Sequence, residues 1–133
     1  PVQGGAIRAA AHEDINFITL MMATTEPGLQ ILGKGEQWVP ITTEHDEVEV
    51  HCGDMLQNLT NGLFKSTTHR VVNPPGAKNV ARFSVPFFVH PRPETDLTPL
   101  PECVALTGGV AKYGEMNAQA FLDERLREIM RNC

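Results

Sequence analysis

Two histidines and one aspartate are the residues of this chain whose types and spacing could do chemistry. His12 and Asp14 are separated by one residue, and His69 lies much further along the chain. Residues i and i+2 of a β-strand point to the same side, so His12 and Asp14 can share one face of a strand or of its fraying end. Imidazole nitrogens and carboxylate oxygens are metal ligands. The three side chains therefore form a candidate metal site if the fold brings His69 to the other two.

A second pair, Arg82 and Ser84, has the same spacing and offers a cation and a hydroxyl group. A guanidinium group inside a protein is costly unless it meets an anion, so a buried Arg82 requires an anionic partner. Taken alone, the pair favours a surface arginine and a serine on a strand. Each histidine, taken alone, favours a structural role over a ligand role.

Two histidines and one carboxylate on one face of a metal leave the opposite positions open, as in non-heme Fe(II) oxygenases. The order His-x-Asp, distant His, Arg-x-Ser resembles the isopenicillin N synthase-like branch of the 2-oxoglutarate/Fe(II)-dependent oxygenases. The resemblance runs from about His12 to Pro93 and more faintly to the end. Six further segments match that family's catalytic domain in order: Pro27-Gly28-Leu29-Gln30-Ile31, Gln37-Trp38-Val39-Pro40, Gly53-Asp54-Met55-Leu56, Thr60-Asn61-Gly62, His69-Arg70-Val71-Val72-Asn73 and Pro86-Phe87-Phe88.

The resemblance implies that His12, Asp14 and His69 bind Fe(II) and are the catalytic residues. It also implies that 2-oxoglutarate is the co-substrate and that Arg82 and Ser84 hold its distal carboxylate. Decarboxylation of 2-oxoglutarate and activation of O2 would then drive the oxidation of a small organic substrate. Two alternatives stay open: an isopenicillin N synthase-type oxidase that needs no 2-oxoglutarate, and a truncated, non-catalytic jelly roll that only binds metal.

Short β-rich segments separated by glycine and proline must position these residues. The segment Glu47–His51 alternates polar and apolar residues, which is typical of a strand with one wet face. Asn117 is a plausible N-cap for a helix over Ala118–Arg131. Further strands are predicted over Gly4–Ala11, Ile15–Ala23, Leu29–Leu32, Gln37–Ile41, Phe64–Val72 and Val80–His90. Together these elements predict a mainly β fold, a double-stranded β-helix (jelly roll) with a C-terminal helix.

We expect residues 1–133 to form a single, partial catalytic domain that includes the helix over 118–131. Relatives of this kind carry a long N-terminal half before the His-x-Asp segment, whereas this chain begins at Pro1 without Met. The barrel is therefore expected to be incomplete, and the fragment alone could lack turnover. Exposed sheet edges would then permit association with other chains.

Composition narrows the remaining function classes. The formal net charge of -5 gives no electrostatic reason to expect a nucleic-acid partner. The most apolar run, Phe17–Ala23, is too short to cross a bilayer. Cys52, Cys103 and Cys133 are odd in number and widely spaced, which favours reduced thiols in a cytoplasmic protein.

Overall fold

A computed structural model describes residues 7–77 and 80–131 of the chain. Within these residues, seven strands and three helices follow one another. Their bounds are β1 (Ile7–His12), β2 (Ile18–Met22), β3 (Leu29–Leu32), β4 (Trp38–Pro40), β5 (Val48–Cys52), α1 (Asp54–Leu59), β6 (His69–Val72), β7 (Pro86–Val89), α2 (Pro101–Leu106) and α3 (Ala118–Arg131). The first three residues of the strand predicted over Gly4–Ala11 lie outside the described residues.

A four-stranded sheet of order β1-β6-β3-β4 carries both candidate histidines. Strand β6 runs antiparallel to β1 and to β3, and β3 and β4 form an antiparallel hairpin. The pairing of β1 with β6 shifts register twice, once between Ile7 and Ala9 and again between Ala9 and His12. Such irregularities re-aim side chains and are frequent beside active sites.

Strand β5 lies at one edge of a three-stranded sheet of order β5-β2-β7. The predicted alternation is present, but the valines occupy the wet face. Val48 and Val50 are each 56% exposed, whereas Glu49 is half-buried and His51 is only 4% exposed. The polar side chains tolerate burial because Glu49 Oε1 and His51 Nε2 share a hydrogen bond of 2.5 Å. An alternating pattern predicts the period of a strand but not which of its faces is buried.

Several strands are shorter than predicted: the one expected over Ile15–Ala23 is confined to β2 and the one over Gln37–Ile41 to β4. The strand expected over Phe64–Val72 is confined to β6, and the one expected over Val80–His90 is confined to β7. The residues before β6 bond outside a regular ladder, since the backbone N–H of Ser66 donates to Gln57 Oε1 at 2.9 Å. Hydrogen bonds to side chains compete here with strand pairing, and the sequence of the segment does not reveal them.

Helix α2 lies in a proline-rich stretch, residues 91–109, whose composition predicts no regular element. Pro101 occupies its first turn, where a missing N–H group costs nothing and the fixed φ angle suits a helix. Proline in this stretch therefore marks a helix start as well as loops.

The chain divides into two compact units. The first comprises Pro1–Glu13, Leu20–His51 and Thr67–Phe87, and it contains the whole four-stranded sheet. The second comprises Asp14–Thr19, Cys52–Ser66 and Phe88–Cys133, and it contains the three helices. A single domain over residues 1–133 stays a prediction.

The second unit has its own apolar core of Met55, Leu97 and Ala118. Partly buried side chains of Phe17, Phe121 and Leu122 pack against that core. Asn117 caps α3 as predicted, because its Oδ1 accepts the backbone N–H of Ala120 at 2.8 Å. The cap fixes the start of α3, so its first two turns carry the packing residues.

The Asn61-Gly62 turn has the left-handed backbone that its sequence predicts, with φ angles of 53° and 77°. Asn61 is fully buried. Its side-chain amide donates to Thr107 Oγ1 (2.6 Å) and to the Val110 carbonyl (3.0 Å), and its Oδ1 accepts the Lys112 N–H (2.7 Å). This one side chain therefore ties the turn after α1 to the segment after α2.

No helix among the described residues is long and apolar enough to span a bilayer.

Candidate functional site

The two candidate histidines face each other across neighbouring strands. His12 ends β1, His69 begins β6, and the two residues are paired in the antiparallel register. Their ring centroids are 4.3 Å apart, with ring planes inclined by 55°. The pairing of β1 with β6 therefore brings together two imidazoles that are far apart in sequence.

Asp14 completes the cluster. One ligand atom from each of His12, Asp14 and His69 lies within 4.8 Å of the others, a spacing at which a single metal ion could contact all three. His12 is exposed, Asp14 is half-buried and His69 is buried. The structure thus assembles the three residues that the sequence singled out.

Backbone carbonyl groups fix the orientation of both imidazoles. His12 Nδ1 lies 2.7 Å from the carbonyl oxygen of Ala10, and His69 Nδ1 lies 2.9 Å from that of Thr67. A carbonyl oxygen can only accept, so each Nδ1 carries a proton, which leaves Nε2 as the nitrogen that could bind a metal. Neutral imidazole with an unprotonated Nε2 is the form that binds a metal, so the donor set fits a metal ion.

Hydrogen bonds between side chains hold the Asp14 carboxylate. Thr19 Oγ1 donates to Asp14 Oδ2 at 2.5 Å, and Asn16 Nδ2 donates to Thr19 Oγ1 at 2.8 Å. Thr19 and Asn16 are each 2% exposed, so this chain of hydrogen bonds is sheltered from water. A regular strand over Ile15–Ala23 would place Asn16 on the ligand face, but residues 15–17 form a bend and Asn16 instead supports Asp14 through Thr19.

His51 contacts the site and was missed by sequence reasoning, which favours a surface or strand histidine at this position. Its ring stands edge-on to that of His69, with centroids 5.0 Å apart. Burial alone would raise the pKa of Glu49, but hydrogen bonds from His51 and Thr43 outweigh burial and hold that pKa below its usual value. The i, i+2 spacing of Glu49 and His51 on an alternating strand was the signal that could have revealed the pair.

Arg82 and Ser84 lie outside the regular strands, but their side chains contact each other. Arg82 Nη1 donates to Ser84 Oγ at 3.3 Å, and Arg82 Nε donates to the Glu26 carbonyl at 2.9 Å. Arg82 Nη2 is buried and has no hydrogen-bond partner within residues 7–77 and 80–131. Burial lowers the pKa of Arg82, and the positive charge of Arg8 lowers it further. A buried guanidinium nitrogen without a partner is a vacant donor for an anion.

The remaining predicted features lie apart from the cluster. His45 is exposed and His90 lies beyond the end of β7. Glu13, which lies between His12 and Asp14 in sequence, accepts a hydrogen bond from Thr68 Oγ1 at 2.6 Å in an exposed setting. These residues are therefore left out of the candidate site.

Comparison with known proteins identifies the relatives of the chain. Residues 2–91 match the family described as the 2OG-Fe(II) oxygenase superfamily. The chain is 36% identical over 123 residues to probable flavonol synthase 5 of Arabidopsis thaliana, covering 91% of this chain and 36% of that protein. It is also 36% identical over 86 residues to gibberellin 2-beta-dioxygenase 7 of the same plant, covering 65% of this chain and 24% of that protein.

Solved structures resemble the chain closely. A 2OG-Fe(II) oxygenase family protein from Caulobacter crescentus superposes with a TM-score of 0.85 at 40% identity, covering 97% of this chain and 43% of that one. A full-length Neurospora crassa protein in complex with alpha-KG (2-oxoglutarate) gives 0.83 at 32% identity, covering 96% and 39%. The predicted jelly-roll fold with a C-terminal helix is thereby confirmed. The chain spans less than half the length of these relatives.

Proposed function

The chain belongs to the 2OG-Fe(II) oxygenase superfamily, and on that premise we propose that it carries the catalytic centre of a non-heme Fe(II)-dependent oxidoreductase. This enzyme couples 2-oxoglutarate decarboxylation and O2 activation to the oxidation of a small organic substrate. The observation that carries the proposal is the convergence of His12, Asp14 and His69, whose ligand atoms lie within 4.8 Å of one another. Two neutral imidazoles and one carboxylate are the protein ligands that such iron centres use.

The proposed role of His12, Asp14 and His69 is to hold Fe(II). When bound, Fe(II) supplies the redox chemistry and open coordination positions for 2-oxoglutarate and O2. The chain's own residues fix the geometry in advance: the Ala10 and Thr67 carbonyls orient the two imidazoles, and Thr19 orients the carboxylate. Because these partners restrict ring rotation, little conformational freedom is lost on binding.

Arg82 and Ser84 are proposed to bind the distal carboxylate of 2-oxoglutarate. The vacant, buried Nη2 of Arg82 and the Ser84 hydroxyl group beside its Nη1 support this assignment. A guanidinium group offers planar, parallel donors that match the two oxygens of a carboxylate. The backbone carbonyl of Glu26 fixes Nε and so limits the orientations open to the guanidinium plane.

The two alternative functions have weaker support. An oxidase that needs no 2-oxoglutarate is less favoured because the similar Neurospora protein is described in complex with alpha-KG. A non-catalytic jelly roll that binds only metal gives no role to the Arg82–Ser84 contact.

The wider setting of the protein is also proposed. The net charge of -5 favours a small-molecule substrate over nucleic acid. Reduced thiols at Cys52 and Cys103 are compatible with a cytoplasmic location. Association through sheet edges is supported by exposed apolar side chains at the edge strand β7: Phe87 lies within it, and Phe83 and Val85 lie just before it.

An anaerobic titration of the protein with Fe(II) and then 2-oxoglutarate tests the proposal. We expect the weak visible charge-transfer band that arises when a 2-oxo acid chelates Fe(II). His69→Ala should abolish the band because it removes one of three metal ligands, and Arg82→Ala should shift its half-saturation to higher 2-oxoglutarate concentration.

His45→Ala is the matched control, since His45 is an exposed histidine outside the cluster. It should leave the titration unchanged. A folded protein that binds Fe(II) but shows no band with 2-oxoglutarate would contradict the co-substrate and favour the 2-oxoglutarate-independent oxidase. A folded protein that binds no Fe(II) would contradict the metal centre itself.

A further inference from the structure

We propose that Arg8 is a second cationic residue of the anion site, so that Arg8 and Arg82 together hold the distal carboxylate of 2-oxoglutarate. This inference rests on the proposed function and extends it to a residue that the sequence pattern did not single out. Arg8 lies on β1, the strand that ends at His12. Strand β1 therefore contributes a residue to each end of 2-oxoglutarate: His12 at the metal and Arg8 at the distal carboxylate.

Arg8 is anchored in a way that leaves donors available. Its Nε donates to Asn73 Oδ1, and its Nη2 donates to the carbonyl oxygen of Val80 at 3.2 Å. Its Nη1 has no protein partner within residues 7–77 and 80–131. Asn73 directly follows β6, which begins at His69, so the anchor ties the guanidinium to the strand that carries a candidate metal ligand.

Three observations bring Arg8 into the neighbourhood of Arg82. Val80, whose carbonyl accepts from Arg8, precedes Arg82 by two residues. Glu26, whose carbonyl accepts from Arg82 Nε, lines a cavity of about 240 Å³ together with Arg8 and Asn73. The charge of Arg8 also contributes, after burial, to the lowered pKa of Arg82.

Two neighbouring guanidinium groups repel each other unless an anion lies near them. Glu26 lines the same cavity, but its carboxylate forms no ion pair with either arginine in the described part of the chain. Arg8 is exposed and Arg82 is half-buried, and within that part no carboxylate forms an ion pair with either guanidinium group. A ligand carboxylate can pair with both, because its two oxygens offer about four acceptor positions for Arg82, Ser84 and Arg8.

The arrangement has a consequence for selectivity among 2-oxo acids. Both arginines act on the distal carboxylate, whereas the 2-oxo acid end is expected at the metal. A compound of the same length that lacks the distal carboxylate, 2-oxopentanoate, gains nothing from either arginine. Removing Arg8 should therefore weaken the binding of 2-oxoglutarate and leave that of 2-oxopentanoate unchanged.

Isothermal titration calorimetry of the Zn(II)-loaded protein measures this binding without turnover, because Zn(II) is redox-inert. Arg8→Gln should raise the Kd for 2-oxoglutarate on the order of tenfold, as expected for the loss of a charged hydrogen-bond donor. Arg8→Lys, which keeps the charge, should raise it by less. The matched control is Arg70→Gln, since Arg70 stacks on Trp38 at 4.1 Å and bonds Gln30 rather than the anion site.

The outcomes separate this inference from the proposed function. An unchanged Kd in both Arg8 variants, together with a raised Kd in Arg82→Gln, would overturn the role of Arg8 and leave the proposed function intact. Absence of 2-oxoglutarate binding by the unmodified protein would overturn both. If Arg8→Gln fails to retain Zn(II), the Arg8→Lys variant decides the question. A raised Kd for 2-oxoglutarate with an unchanged Kd for 2-oxopentanoate, each compared with the unmodified protein, supports the role of Arg8. An unchanged Kd for both compounds overturns it.

Discussion

The imidazole of His51 stands edge-on to that of His69, with ring centroids 5.0 Å apart and ring planes inclined by 68°. Glu49 holds His51 by the 2.5 Å bond to its Nε2, and Thr43 Oγ1 donates to the same carboxylate at 2.8 Å. His69 is thus restrained on two sides, by the Thr67 carbonyl at Nδ1 and by the His51 ring. Partners of this kind commonly tune metal affinity without touching the metal.

His51→Ala should lower metal affinity by about tenfold, because it removes the ring that packs against His69. His51→Phe keeps a ring of similar width, so it should retain more of the affinity than the alanine variant. Competition of the protein with a chromogenic chelator for Co(II) measures the affinity, and the Co(II) absorption spectrum reports the ligand geometry. Equal affinity and an unchanged spectrum in His51→Ala would show that the edge contact has no positioning role.

Thr19→Val should also weaken metal binding by about tenfold, since it removes the hydroxyl group that orients Asp14 while preserving the shape of the side chain. Thr68→Val is the matched control: its hydroxyl group bonds Glu13, a neighbour of the ligands that lies in an exposed setting. The same Co(II) competition applies to both. A loss of affinity that is as large in Thr68→Val would mean that threonine removal acts through general destabilisation.

Asn61→Ala should lower the free energy of unfolding by roughly 2–5 kcal/mol, because it removes the three hydrogen bonds of a fully buried side chain and places a Cβ-bearing residue without side-chain bonds at a positive φ angle. Urea unfolding followed by circular dichroism measures the change. Asn61→Gly separates the two causes, since glycine accepts the φ angle of 53° without strain. A glycine variant as stable as the unmodified protein would assign the effect to the backbone instead of to the hydrogen bonds.

Burial raises the pKa of the Cys52 thiol above its ordinary value of 9.0. The thiolate is the reactive form, so the midpoint of the rise in iodoacetamide labelling of Cys52 should lie above pH 9. The raised pKa also makes the free energy of unfolding depend on pH. The stabilising contribution of the neutral thiol is fully present below the pKa of the unfolded chain and is lost as pH rises through the higher pKa of the folded protein. The double variant Cys103→Ser, Cys133→Ser isolates Cys52, and a labelling midpoint at or below pH 9 would contradict the prediction.

Part of the candidate metal site could be predicted from short-range geometry, because the i, i+2 spacing alone allows His12 and Asp14 to share one side of the chain. The approach of His69 depends on the long-range pairing of β1 with β6, and the sequence indicated it only through the resemblance to a known family. Short-range rules also predicted the Asn117 cap and the Asn61-Gly62 turn.

Features that depend on tertiary contacts escaped prediction. The alternation of β5 suggests that Glu49 and His51 form its solvent-exposed face. They face inward instead, because they hydrogen-bond to each other and because the His51 ring packs against that of His69. The roles of Thr19 and Arg8 depend on partners that the sequence does not identify, Asp14 for one and Asn73 for the other. Sequence periodicity reports where side chains point relative to their own strand, and it carries no information about which partner they meet.

The buried Asn61-Gly62 turn has a consequence for the chemical ageing of the protein. In a flexible chain an Asn-Gly pair deamidates readily, because the glycine backbone nitrogen attacks the asparagine side-chain carbonyl. Here the Gly62 N–H is engaged by the carbonyl oxygen of Gln57 at 2.8 Å, and the Asn61 amide is held by its own three hydrogen bonds. This attack, which forms a succinimide, therefore requires the turn to open. The rate at which aspartate appears at position 61 during storage then measures how often the turn unfolds locally.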